Sequence, residues 1–141
     1  MPEKKNKPVI HQFANDIFPR HLWVVKDVPF SWIKKRFRLI GGEELQEYKE
    51  AKAITYPEVE HKKSCHYGIL VVIVDSTDMS ISDCAHEAVH FAMELCNAVD
   101  MYSAYENQEL LAYLVGYATD AIYQVATNQF RPMLSGNYEI K

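Results

Sequence analysis

The longest unbroken apolar run, Gly68-Ile69-Leu70-Val71-Val72-Ile73-Val74, sets the strongest limit on what this chain can fold into. It is rich in β-branched side chains and closed by the polar stretch Asp75-Ser76-Thr77-Asp78, so it reads as a strand. A strand that is apolar on both of its alternating sides offers no face to water and must lie inside a sheet covered above and below. The run is far short of the roughly 18 to 20 residues that cross a bilayer, so no transmembrane helix and no membrane partner are expected. With 48% hydrophobic and 24% charged residues in a chain of 141, one domain with an ordinary core is the expectation.

The rest of the chain is organised around that strand. Residues 1–8 are polar with two prolines and read as a flexible tail, leaving 9–141 as a single domain. Leu22-Trp23-Val24-Val25 is a short β-prone run, and Phe30 to Phe37 a short helix. Past the Gly41-Gly42 break, helix formers predict a surface helix over Glu43 to Ala53. Ile54 to Glu60 pairs with Tyr67 to Val74 as a hairpin around the polar loop His61 to His66. Ser80 and Asp83 have the spacing of a capped helix start, and roughly four turns follow to about Ala98. A second helix runs from about Asn107 to Thr127, with Leu110, Leu111, Leu114, Ala118, Ile122 and Val125 on its apolar side. The tail after Pro132 reads as loose. Strands and small helices followed by two long helices make an α+β domain.

Charge is uneven. Residues 1–38 carry nine Lys/Arg against three Asp/Glu, and the remainder six against sixteen. The cluster Lys34-Lys35-Arg36-Phe37-Arg38 is flanked by Trp32, Ile33 and Leu39, which marks it as the solvated face of an amphipathic segment rather than a nucleic-acid patch. The basic N-terminus is followed by no long apolar segment, so a secretory signal is not expected and the cytoplasm is the expected compartment. Cys65, Cys84 and Cys96 form no CxxC pair and read as reduced thiols, Cys84 as a small buried hydrophobe. His11, His21, His61 and His66 share no helical spacing and read as loop or surface residues.

His86-Glu87-Ala88-Val89-His90 is an H-E-x-x-H segment inside the helix that follows the apolar strand. Histidines at i and i+4 leave a helix on the same face, so both imidazoles can converge on one Zn²⁺. Glu87 is offset around the helix, where its carboxylate can take a proton from a water that the metal acidifies. Chance alone places such a segment in a chain of this composition roughly two times in a hundred, so its helical setting must carry the rest of the case.

A catalytic zinc site needs a third protein ligand. Glu109 ranks first. Eighteen residues separate it from His90, enough to finish one helix, turn, and start an antiparallel second helix. An acid within the apolar segment Asn107-Gln108-Glu109-Leu110-Leu111-Ala112-Tyr113 needs a metal or a partner if it faces inward. Glu106 is the nearest rival, at a loop edge that suits capping. Cys96 stands where an H-E-x-x-H-x-x-G-x-x-H site carries its third histidine, but Met93 replaces the glycine that would turn the chain there, and on an unbroken helix Cys96 points away from His90. Asp120 is further off and suits an orienting role.

These residues resemble the zincin-like metallopeptidases of the gluzincin type, and more narrowly a family of small metallopeptidase-like proteins encoded in tailed bacteriophages and prophages. The resemblance rests on Phe18-Pro19-Arg20-His21-Leu22-Trp23-Val24, the strand before the motif, His86-Glu87-Ala88-Val89-His90, and Asn107 to Tyr113, and spans about residues 18–125. It implies a small zincin-like domain with an antiparallel sheet packed on the H-E-x-x-H helix and a second long helix. It also implies zinc ligation by His86, His90 and Glu109, with Glu87 as general base and acid. Where better-known gluzincins carry an Asp one turn after the ligand Glu, this chain has Tyr113, so Asp120, Asp78 or a backbone carbonyl must orient the zinc histidines instead. Tyr113 or Tyr117 is a candidate donor to a developing oxyanion.

The expected activity is zinc-dependent hydrolysis of a peptide or amide bond in a peptide or protein substrate, in the host cytoplasm if the gene is a phage's. The substrate would lie as an added strand beside Ile54 to Glu60. The alternative is a zinc-containing binding or phage assembly protein without turnover.

Overall fold

The computed structural model describes residues 7–14, 18–101, 108–131 and 137–141. In chain order it contains β1 (His11–Ala14), β2 (His21–Lys26), α1 (Phe30–Arg36), β3 (Phe37–Leu39), β4 (Ala53–His61), β5 (Tyr67–Ile73), α2 (Ile81–Ala98), α3 (Gln108–Thr127) and β6 (Asn137–Ile140). The class is α+β. The six strands form one sheet in the order β3-β4-β5-β2-β1-β6.

The apolar run takes the inner position its composition requires, as β5 between β4 and β2. Its alternate residues serve two separate cores. Ile69, Val71 and Ile73 join Leu22, Val24 and Phe13 under α2 and α3, where Ala88, Phe91, Ala92 and Leu95 meet Ala118, Ala121, Ile122 and Val125. Leu70 and Val72 face the other way, with Trp23, Val25, Tyr56, Ile33, Phe37 and Leu45. Small residues at 88, 92, 118 and 121 let α2 and α3 approach closely over the sheet. The start of α2 is closed by a reciprocal pair: the Asp83 amide donates to Ser80 Oγ at 3.1 Å, and the Ser80 amide to Asp83 Oδ2 at 2.9 Å.

Four expectations need correction. The sheet is mixed rather than antiparallel, because β2 and β5 run parallel, with His21 opposite Gly68 and Val25 opposite Val72. The β4–β5 hairpin fills one side of the central strand, and the long connection through α1, β3 and β4 returns β5 beside β2 in the same direction. Glu43 to Ala53 is not a helix. Its backbone is committed elsewhere: the Glu43 carbonyl accepts from the Leu39 amide, that of Gln46 from the Tyr56 hydroxyl, and that of Lys52 from the Val74 amide, while Leu45 is buried in the second core. Intrinsic helix preference is worth only tenths of a kcal/mol per residue, about 0.7 at most among ordinary residues, and loses to such contacts. Past Pro132, residues 132–136 lie outside the described residues, but Asn137–Ile140 is an ordered edge strand on β1. Finally, His11 and His61 are strand residues, 6% and 8% exposed, not surface histidines.

The basic cluster sits on α1 and β3 with local partners. Lys34 pairs with Glu44 at 3.0 Å, Arg38 with Glu60 at 2.9 Å, and the Arg36 guanidinium lies 3.9 Å above the Trp32 ring. No helix among the described residues is long and apolar enough to cross a membrane.

Candidate metal centre

Helix α2 divides its residues between core and water with helical regularity. Cys84, Ala88, Phe91, Ala92, Leu95 and Cys96 are buried, and His86, Val89, His90 and Met93 lie on the outer side. Cys96 is thus in the core and turned from the exposed His90, as an unbroken helix requires.

His86 and His90 meet. Their Nε2 atoms are 3.3 Å apart, with ring centroids at 4.9 Å and planes crossing at 73°. Two nitrogens each about 2.0–2.1 Å from a tetrahedral zinc stand about 3.3–3.4 Å from one another, so the pair already has the bite such an ion needs. The histidine donors fit a zinc ion in chemistry and in spacing.

Glu87 is the acid the helix turns inward, only 6% exposed. It faces β4, where the Thr55 hydroxyl donates to its Oε2 at 2.5 Å. Thr55 reaches it through strand alternation: paired opposite Val71, it shares the helix-facing side of the sheet. This contact spans 32 positions in the chain, and the sequence reading did not include it. Its only sequence signal is the parity of β4, which is readable once the hairpin register is known.

β4 has a second feature beside the motif. Its C-terminal part, Val59 to His61, is covered by β3, but among the described residues no strand pairs with the outer edge of Ala53 to Tyr56. The open half is the half that carries Thr55.

Helix α3 places the remaining candidates differently. Glu109, in its first turn, is exposed, and Tyr113 one turn later is 74% exposed. Among the described residues, no three His, Cys, Asp or Glu side chains converge as a metal-holding group. Glu106 lies outside the described residues. Asp120 is taken by Arg131 at 2.7 Å, and Asp78 by Lys52 at 3.5 Å. Tyr117 turns into the protein, its ring 6.4 Å from that of Phe91, and its buried hydroxyl has no hydrogen-bond partner among the described residues. Burial pushes the Tyr117 phenol up to about 12, so it keeps its proton and remains a donor.

No protein-family model, no curated protein and no solved structure matches this chain.

Proposed function

We propose that this protein is a zinc-dependent hydrolase that cleaves a peptide or amide bond. The observation that carries the reading is the His86–His90 bite of 3.3 Å with a buried carboxylate, Glu87, on the neighbouring position of the same helix. His86 and His90 would hold the ion, with Glu109 from the start of α3 as third ligand. Zinc held there supplies Lewis acidity, polarising a carbonyl and making water acidic near neutral pH.

The rest falls to side chains of this chain. Glu87 accepts the proton of the attacking water and returns it to the leaving nitrogen. Of the two carboxylate oxygens Thr55 engages Oε2, which leaves Oε1 for that proton. The open edge of Ala53 to Tyr56 suits an extended substrate laid down as a further strand beside Glu87. Of the two tyrosines, Tyr117 keeps its hydroxyl buried against the core, away from any substrate, whereas Tyr113 stands in solvent and would donate to a developing oxyanion only with a substrate above it.

A zinc-containing binding or phage assembly protein without turnover is the second reading, favoured by the exposure of Glu109 and the lack of a third converging ligand among the described residues. Two measurements separate the readings. Elemental mass spectrometry is expected to show about one zinc per chain that is lost in His86→Asn/His90→Asn and weakened in Glu109→Gln. Hydrolysis of a peptide library by the wild type, lost in Glu87→Gln at equal zinc content, supports the enzyme. Zinc bound without turnover in either protein supports the second reading, and absence of zinc from the helix pair removes both.

A further inference from the structure

A second pair of histidines comes together at the opposite side of the sheet from α2. His21 opens β2, and His66 ends the loop that leads into β5, 45 positions later. His21 Nε2 and His66 Nδ1 stand 3.3 Å apart, with ring centroids at 5.3 Å. They line a cavity of about 370 Å³ together with Phe18, Arg20 and Tyr67.

The fold holds this pair in place. The register sets His21 opposite Gly68, two residues after His66. The strands approach so closely there that a Cβ on Gly68 would lie 2.6 Å from the His21 carbonyl and 2.8 Å from Trp23 Cζ3. The Trp23 ring backs His21 at 5.7 Å and His61 at 6.0 Å. On the loop side, His61 Nδ1 and the His66 amide both bond to Ser64 Oγ, at 2.8 and 3.2 Å. Arg20, the permanent cation of the cavity, turns its guanidinium over the Tyr67 ring at 5.4 Å and donates to the Pro19 carbonyl.

We propose that His21 and His66 form a second transition-metal site, a two-imidazole clasp for Zn²⁺ that ties the start of β2 to the β4–β5 connection. The 3.3 Å separation is the bite of a tetrahedral ion, about 3.3–3.4 Å between nitrogens. Cys65 lines the same cavity, but its Sγ is directed to the Lys62 carbonyl at 3.8 Å, so the ion would be held by the two imidazoles without a thiolate. The clasp is independent of the H-E-x-x-H helix.

The test is equilibrium dialysis of the full chain against Zn²⁺ alone, counting bound metal in the parent, in His86→Asn/His90→Asn, and in that double variant with His66→Asn or His21→Asn added. The double variant is expected to retain about one zinc per chain and a zinc-dependent rise in melting temperature, and each added substitution to abolish both. His66 is exposed, so its variant tests the site without disturbing the core. A double variant that binds no zinc overturns this proposal while leaving any zinc bound by the parent to the helix pair. Zinc uptake that persists through both His66→Asn and His21→Asn overturns it equally. Loss of zinc on His66→Asn with none lost on His86→Asn/His90→Asn upholds the clasp and removes the helix site.

Discussion

The two histidine pairs reach the same 3.3 Å separation by different routes. His86 and His90 lie four residues apart on α2, so helical geometry alone brings them together. His21 and His66 depend on a parallel strand pairing, a hairpin and a loop bonded through Ser64. The helix pair stands in the open beside a buried acid, whereas the strand pair rests against Trp23. On the two proposals above, the first arrangement would serve chemistry on a bound substrate and the second would hold chain segments together.

The largest effect that sharpens this contrast is at Glu87. Glu87→Gln keeps an acceptor for Thr55 but not a base, and should lower peptide hydrolysis by about 10²- to 10⁴-fold with zinc content and melting temperature nearly unchanged. An unchanged rate would remove the functional difference between the pairs. Next is Gly68→Ala, which forces a methyl against the His21 backbone and the Trp23 ring. A loss of about 3 kcal/mol in urea unfolding is expected, with zinc on the helix pair unaffected. A loss under about 0.5 kcal/mol, the range of ordinary surface changes, would mean that the strand pair is not held by close packing.

Thr55→Val follows. It leaves the buried Glu87 carboxylate without its hydroxyl partner, at about 1–3 kcal/mol of stability, while Thr55→Ser restores the bond and most of that loss. If valine is as stable as serine, Thr55 does not hold the carboxylate, and the acid beside the helix pair is placed by α2 alone.

What the sequence revealed follows from how local each feature is. The capped start of α2, its two faces, the H-E-x-x-H pair and the β4–β5 hairpin are written in spacings of two to four residues, and all are present. The Thr55–Glu87 bond and the His21–His66 pair join residues 32 and 45 positions apart, which no periodicity encodes. The segment from Glu43 to Ala53 misled in the opposite sense, since its residues favour a helix and tertiary bonds to Leu39, Tyr56 and Val74 prevail. β1 and β6 are four-residue strands, too short for their alternation to stand out; β1 is held between β2 and β6, and β6 by β1 alone among the described strands.

The smallest effect concerns pH and separates strand histidines from the rest. His11 packs against both Phe130 and Tyr138, which also stack on one another, and is bonded through Nδ1 to the Tyr138 hydroxyl at 2.8 Å. Burial, helped by the Lys26 charge, lowers its pKa from 6.5 to about 4, and burial moves His21 and His61 in the same direction. The unfolded chain therefore binds more protons than the folded one between those values. Stability from a neutral His11 is full above about pH 6.5 and declines as pH falls toward 4. The carboxylates held low by their partners, Glu44, Glu60, Asp75 and Asp83, lose their contribution only as pH falls below their ordinary range near 4 to 4.5. Between pH 6.5 and 5 the slope of the urea midpoint thus belongs chiefly to strand histidines, and His11→Phe, which retains the ring stack, should flatten it. A slope unchanged in that variant would place the acid sensitivity outside the β1–β6 edge and leave His21 and His61, beside Trp23, as its source.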